Sequence, residues 1–173
     1  MRVAEAIVPR QPGLYAIHAD ADVWEELGLA LPPDPRPLYA GKAERSLAGR
    51  DIMTHFRTGR TGSSTLRRTL GGLLAEPLGL RGQPRNTAKP AYFSNFGLEA
   101  EGDERLSSWM HDRLRIATWA SPSGVSLDEI ETVVLRTLQS PLNLDKISTP
   151  WRGAVSAGRA RLAAQARVWR PDP

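Results

Sequence analysis

Two short stretches near the start of the chain alternate apolar and polar positions, and each carries a tyrosine. Residues 13–18 read Gly-Leu-Tyr-Ala-Ile-His after Pro12, and residues 37–41 read Pro-Leu-Tyr-Ala-Gly after a proline-rich run. The pattern predicts two strands bounded by turns. Between them, Val23, Trp24 and Leu27 suit a helical turn or a packed loop within residues 20–31. After Lys42 the period lengthens. Leu47, Ile52, Met53 and Phe56 predict a helix over 46–57, and Leu66, Leu70, Leu73 and Leu74 a second, with Ser63 or Ser64 as its N-cap. Residues 76–100 have no clear period. Their prolines, glycines, Arg81, Arg85 and Lys89 suggest a basic loop leading into a short strand at 92–96.

Periodicity returns further on. Asp103 is placed to cap a helix through Leu106, Trp109, Met110 and Arg113, and residues 114–120 alternate as a third core strand. Ser126 and Glu129 have the spacing of a capping box, opening a helix from Leu127 to about Leu138 that Pro141 ends. An alanine- and arginine-rich helix is expected over 151–168. The predicted fold is α/β in the α+β sense: a small central antiparallel or mixed sheet of about three strands, flanked by helices. One domain is expected over residues 1–173, with no internal repeat.

Composition narrows the classes. At 40% hydrophobic and 24% charged residues, the chain has the balance of a globular protein. No apolar run approaches the ~20 residues that span a bilayer, so no membrane partner is expected. Residues 1–10 lack the apolar segment of a secretory signal, which fits a cytoplasmic location. Cysteine is absent, excluding disulfides, thiolate metal ligands and a thiol nucleophile. The net charge is +4, and lysine stands only at 42, 89 and 146, so arginine supplies most of the basic side chains. That suits a polyanion partner, and equally suits a compositional bias.

Candidate chemistry centres on one carboxylate. At ~100° per residue, Leu127, Ile130, Val134, Leu135 and Leu138 form an apolar stripe, and Glu131 falls inside it. A carboxylate there must be paired, metal-bound or at the stripe's edge near water. Arg50 lies on the flank of the preceding helix, as a solvated residue or a functional one. His55, five residues later, could be exposed, packed or catalytic, and His18 and His111 have no partner motif. No His/Asp/Glu set has zinc-ligand spacing, and Gly13 and Gly41 make no dinucleotide or phosphate-loop fingerprint. Tyr15 and Tyr39 could be core aromatics. A tyrosine can act as a base only where nearby cations lower its pKa from ~10, and Lys42 and Arg50 could be such cations for Tyr39.

Taken together, these residues resemble the GIY-YIG nuclease superfamily over most of residues 12–145. Gly13-Leu14-Tyr15 stands where that family has its first triplet, and Tyr39-Ala40-Gly41 where it has the second. Arg50 matches the helix arginine, one residue further from the second triplet than the commonest spacing. Glu131 matches the late glutamate, and Pro141-Leu142-Asn143 the terminal P-x-N. Relative to minimal members, residues from about 76 to 113 form an inserted basic segment, and 150–168 a C-terminal helix.

The resemblance implies DNA phosphodiester cleavage with one divalent cation, Mg²⁺ or Mn²⁺. Glu131 would hold the metal, Arg50 would stabilise charge on the scissile phosphate, and Tyr39 would act as base or orient the water, with Tyr15 beside it. Lys42 matches a lysine of the excision-repair members and Asn143 their late asparagine, and His55 joins the catalytic candidates one residue beyond the family's aromatic or histidine position. A nucleic-acid footprint is expected at Arg57, Arg60, Ser63, Ser64, Arg67, Arg68 and Asn143, on single- or double-stranded DNA. The alternative is a nucleic-acid-binding module on the same fold that does not cut.

Overall fold

The computed structural model describes residues 8–48, 52–89 and 93–170. In chain order its elements are β1 (Gly13–His18), α1 (Ala21–Glu26), β2 (Tyr39–Ala43), α2 (Ile52–Phe56), a 3₁₀ turn at Thr61–Ser63, α3 (Thr65–Leu73), β3 (Gly82–Gln83), β4 (Gly97–Leu98), α4 (Ala100–Arg113), β5 (Arg115–Ala120), α5 (Leu127–Leu138) and α6 (Arg152–Val168). The chain gathers into two compact units: residues 1–53 with 111–152, and residues 54–110 with 153–173.

The first unit holds the expected three-stranded sheet, all antiparallel, in the order β2-β1-β5. Gly13 is where β1 comes closest to β5. A side chain there would collide with the Trp119 carbonyl oxygen and would reach within 2.8 Å of Leu47 Cδ1. Strand alternation puts Tyr15 and Ile17 on one face with Tyr39 and Gly41, and Leu14 on the other with Lys42. Tyr15 and Ile17 are buried, as are Trp24, Leu38, Leu47, Leu135 and Leu142. The outer edge of β2 is covered by the segment after α5, where the Leu142 amide donates to the Leu38 carbonyl at 2.9 Å. Covering that edge removes a template for wrong strand pairing.

The second unit packs α3 and α6 at their glycines. A side chain on Gly72 would come within 2.6 Å of the Gly158 backbone, and one on Gly158 within 2.7 Å of the Gly72 carbonyl oxygen. Leu66, Leu70, Leu74, Leu106, Val155 and Leu162 are fully buried in this unit. The short strand expected at 92–96 lies later, at Gly97–Leu98 paired with Gly82–Gln83. Phe96 is buried without joining it, and Tyr92 lies outside the described residues.

Two caps differ from expectation. Ser126 stands at the N-cap of α5, but its side chain makes no capping hydrogen bond. Asp103 does not open α4, which starts at Ala100, because its carboxylate binds Arg67, Thr61 and the Gly59 amide instead. The helix expected over 46–57 is described at Ile52–Phe56, residues 49–51 lying outside the described part.

Candidate functional site

β1 and β2 bring the two tyrosines together. Tyr15 sits opposite Gly41, and Tyr39 opposite Ile17. The rings of Tyr15 and Tyr39 lie 6.2 Å apart between centroids, tilted by 36°. A Cβ on Gly41 would fall 2.7 Å from the Tyr15 hydroxyl oxygen and 2.8 Å from Cζ. The glycine of the second motif thus leaves the space that the tyrosine of the first motif fills. Tyr15 is buried and Tyr39 half-buried.

Asn143 holds the backbone between Tyr39 and Gly41. Its Oδ1 accepts from the Ala40 amide at 2.9 Å, and its Nδ2 donates to the Ala40 carbonyl at 2.8 Å. A side-chain amide with one acceptor and one donor completes the edge of β2 as a neighbouring peptide would. Asn143, expected in the nucleic-acid footprint, is here a backbone-bracing residue. The side chain is buried, and both its polar ends serve the strand.

α5 carries Glu131 on its half-buried face, where the apolar stripe placed it. The Glu131 side chain is 13% exposed, and its Oε2 accepts from Lys146 Nζ at 2.6 Å. Lys146 holds a left-handed backbone, φ 65°, a conformation uncommon for a residue with a side chain. One turn before Glu131, Asp128 pairs with Lys42, which also meets Glu44 at 2.8 Å. The hydrogen bond to Asp128, then that to Glu44, raises the Lys42 pKa above its ordinary value, and the same contact lowers that of Asp128. The register corrects one expectation: Lys42 lies on the sheet face opposite Tyr15 and Gly41, with its ammonium committed to carboxylates. It ties β2 to α5.

Lys146 was not among the sequence candidates. The available signal was scarcity, since Lys146 is one of only three lysines in an arginine-rich chain. Arg50 lies outside the described residues.

In the second unit the expected phosphate contacts divide sharply. Arg67 is completely buried, with its guanidinium 3.1 Å from Asp103 and bonded to Thr61 Oγ1, the His55 carbonyl and Ser107 Oγ. Arg68 is buried and donates to the Gly62 carbonyl at 2.9 Å. Ser64 caps α3 by accepting from the Arg67 amide, and its hydroxyl lies 2.6 Å from His55 Nδ1. Burial, and then the charge of Arg67, pushes the His55 pKa down to about 4, so the ring is neutral at pH 7.

The structure thus places Ser64, Arg67, Arg68 and His55 in the interior of the second unit, with hydrogen bonds to neighbouring protein groups. Arg57, Arg60 and Ser63 remain exposed. Burying a guanidinium is costly unless it is paired and its donors are satisfied, and Asp103 with four oxygen acceptors meets both conditions.

The residues at Glu131 fit a hard divalent ion. Among the described residues, no three acidic or histidine side chains gather as a complete metal cage. A lone half-buried carboxylate suits Mg²⁺ or Mn²⁺, which keep several waters and complete their shell with substrate phosphate oxygens. It does not suit tetrahedral zinc. Also among the described residues, no helix is long and apolar enough to cross a membrane.

A family model described as GIY-YIG catalytic domain matches residues 34–156, most of the chain, starting after β1. No curated protein and no solved structure matches the chain.

Proposed function

The chain belongs to the family of GIY-YIG catalytic domains, and on that premise we propose that it is an endonuclease hydrolysing DNA phosphodiester bonds with one bound Mg²⁺ or Mn²⁺. The observation that carries the reading is the packing of Tyr15 over Gly41 beside Tyr39. It lies on the strand that Lys42 and Asn143 tie to α5 and to the segment after it.

In this reading Glu131 holds the metal, which when bound supplies positive charge to a phosphate oxygen and to the attacking water. Tyr39 orients that water or, as the phenolate, takes its proton, while Tyr15 fixes the Tyr39 ring. The water oxygen forms the new bond to phosphorus as the bond to the leaving oxygen breaks, and the leaving oxygen takes a proton from solvent. By the family resemblance, Arg50 steadies the charge that develops on the phosphate. Asn143 keeps the Tyr39–Gly41 backbone in place, and Lys42 keeps α5 beside it.

One observation favours the second reading, a nucleic-acid-binding module that does not cut. Lys146 already supplies a cation to Glu131, so the carboxylate is satisfied without a metal. Incubation with single-stranded and duplex DNA in Mg²⁺, in Mn²⁺ and in EDTA separates the two. Cutting that requires the metal supports the endonuclease, and binding with no cutting in any condition supports the module.

A further inference from the structure

Beyond the tyrosine strands, the second unit has its own cavity of about 440 Å³. Thr58, Arg60, Ser63, Gln83, Arg85 and Glu104 contribute to its lining. Among the described residues, neither the Arg60 nor the Arg85 guanidinium has a hydrogen bond or ion pair. Both residues are exposed. Asp103 also lines this cavity, but its carboxylate is neutralised by Arg67 and bonded to Thr61 and the Gly59 amide. Against the two free guanidinium groups stands one free carboxylate, Glu104.

The loop that presents Arg60 is held unusually firmly. Asp103 grips it at Gly59 and Thr61, Arg67 grips Thr61 again, and Arg68 holds the Thr61 and Gly62 carbonyls. Arg85 is set by a different device. A Cβ on Gly62 would lie 2.5 Å from Arg85 Cγ and 3.0 Å from its Cβ. The bare glycine therefore lets the Arg85 stem lie across the turn. Two elements remote in sequence are thus fixed so that their arginines share one cavity.

We propose that this cavity is a binding site for a phosphodiester group of a nucleic-acid strand, gripped by Arg60 and Arg85. Guanidinium groups match phosphate oxygens in shape and charge and can each make two hydrogen bonds. The volume admits a nucleotide unit, and Glu104 at the wall accepts hydrogen bonds from base or sugar donors while repelling a second phosphate. The site extends the proposed endonuclease reading by giving the strand an anchor in the second unit.

The test is strand binding by the full chain in EDTA, so that cleavage and metal at Glu131 play no part. Fluorescence anisotropy of a labelled 15-nucleotide single strand, and of the same strand as a duplex, is measured over a range of salt. Arg60→Ala and Arg85→Ala should each weaken binding of at least one form about tenfold and lower the salt slope by about 0.7–0.9. Arg170→Ala, a charge-matched control, should change neither quantity appreciably. Gly62→Ala removes no charge but displaces the Arg85 stem, and should weaken binding comparably. The double Arg60→Ala/Arg85→Ala variant alters exposed side chains only, so it keeps the test open if Gly62→Ala misfolds. Binding by the double variant within twofold of the control overturns the site. Displacement of the strand by inorganic phosphate as readily as by unlabelled strand makes it a free-phosphate site and overturns the strand assignment.

Discussion

The phenol of Tyr15 occupies the space above Gly41 that any other residue would fill with its Cβ, 2.7 Å from the hydroxyl oxygen. The two motif residues, one on each strand, are therefore a single packing unit. Gly41→Ala should destabilise the first unit by about 1–3 kcal/mol, the usual range for overpacking. In a Tyr15→Ala background the same substitution should cost about 1 kcal/mol less, because the atoms it strikes are gone. Urea denaturation of the four proteins checks this, and additive effects would show that the contact carries no coupling.

Asn143 makes a comparable prediction with a different readout. Asn143→Ala leaves the Ala40 amide and carbonyl without their partners and should cost about 2–4 kcal/mol. Asn143→Asp keeps the acceptor and loses the donor, so it should fall between. Strand binding in EDTA should stay within twofold of wild type for both folded variants. A large loss of binding with little loss of stability would return Asn143 to the nucleic-acid footprint.

Lys146 competes with any cation for Glu131, given their 2.6 Å ion pair. Lys146→Ala should therefore raise Mn²⁺ affinity by about tenfold, of the order of one displaced charge–charge contact in a partly solvated setting. Glu131→Gln should abolish that binding. Isothermal titration with Mn²⁺ alone reads both, and equal affinity in wild type and Lys146→Ala would mean that the lysine does not compete.

His55 links stability to pH. Its folded pKa is about 4, lowered by burial and then by Arg67, whereas an unfolded histidine titrates near ~6.5. The unfolded state takes up the proton first as pH falls. The contribution is therefore intact above ~6.5 and is lost progressively down to about 4, by up to about 3 kcal/mol. Between pH 7 and pH 5 the wild type should lose about 2 kcal/mol more than His55→Gln. The same pH dependence in both proteins would contradict a neutral buried ring.

Much of this was legible from periodicity. β1 begins and ends where alternation placed it, α5 likewise, β5 starts one residue later than the 114–120 expected, and Glu131 lies on the half-buried side of its helix as the stripe required. What could not be read was which charged groups the tertiary fold would bury. Arg67 and Arg68 stand in a basic, polar stretch and look solvated. The carboxylate that pairs with Arg67, Asp103, stands 36 positions beyond it. Asn143 was recognised as a motif residue, but its use as a surrogate strand partner depends on where Ala40 lies in space. Lys146 lies outside any regular element, so no period points to it.

The central claim is that Glu131 holds the metal that serves phosphodiester cleavage. It is tested most directly by comparing wild type and Glu131→Ala on the same DNA, with cutting measured in Mg²⁺ or Mn²⁺ and binding measured in EDTA. The account predicts metal-dependent cutting by the wild type, its loss by at least about a hundredfold in the variant, and DNA affinity within a few-fold of wild type. Equal cutting by Glu131→Ala would contradict it.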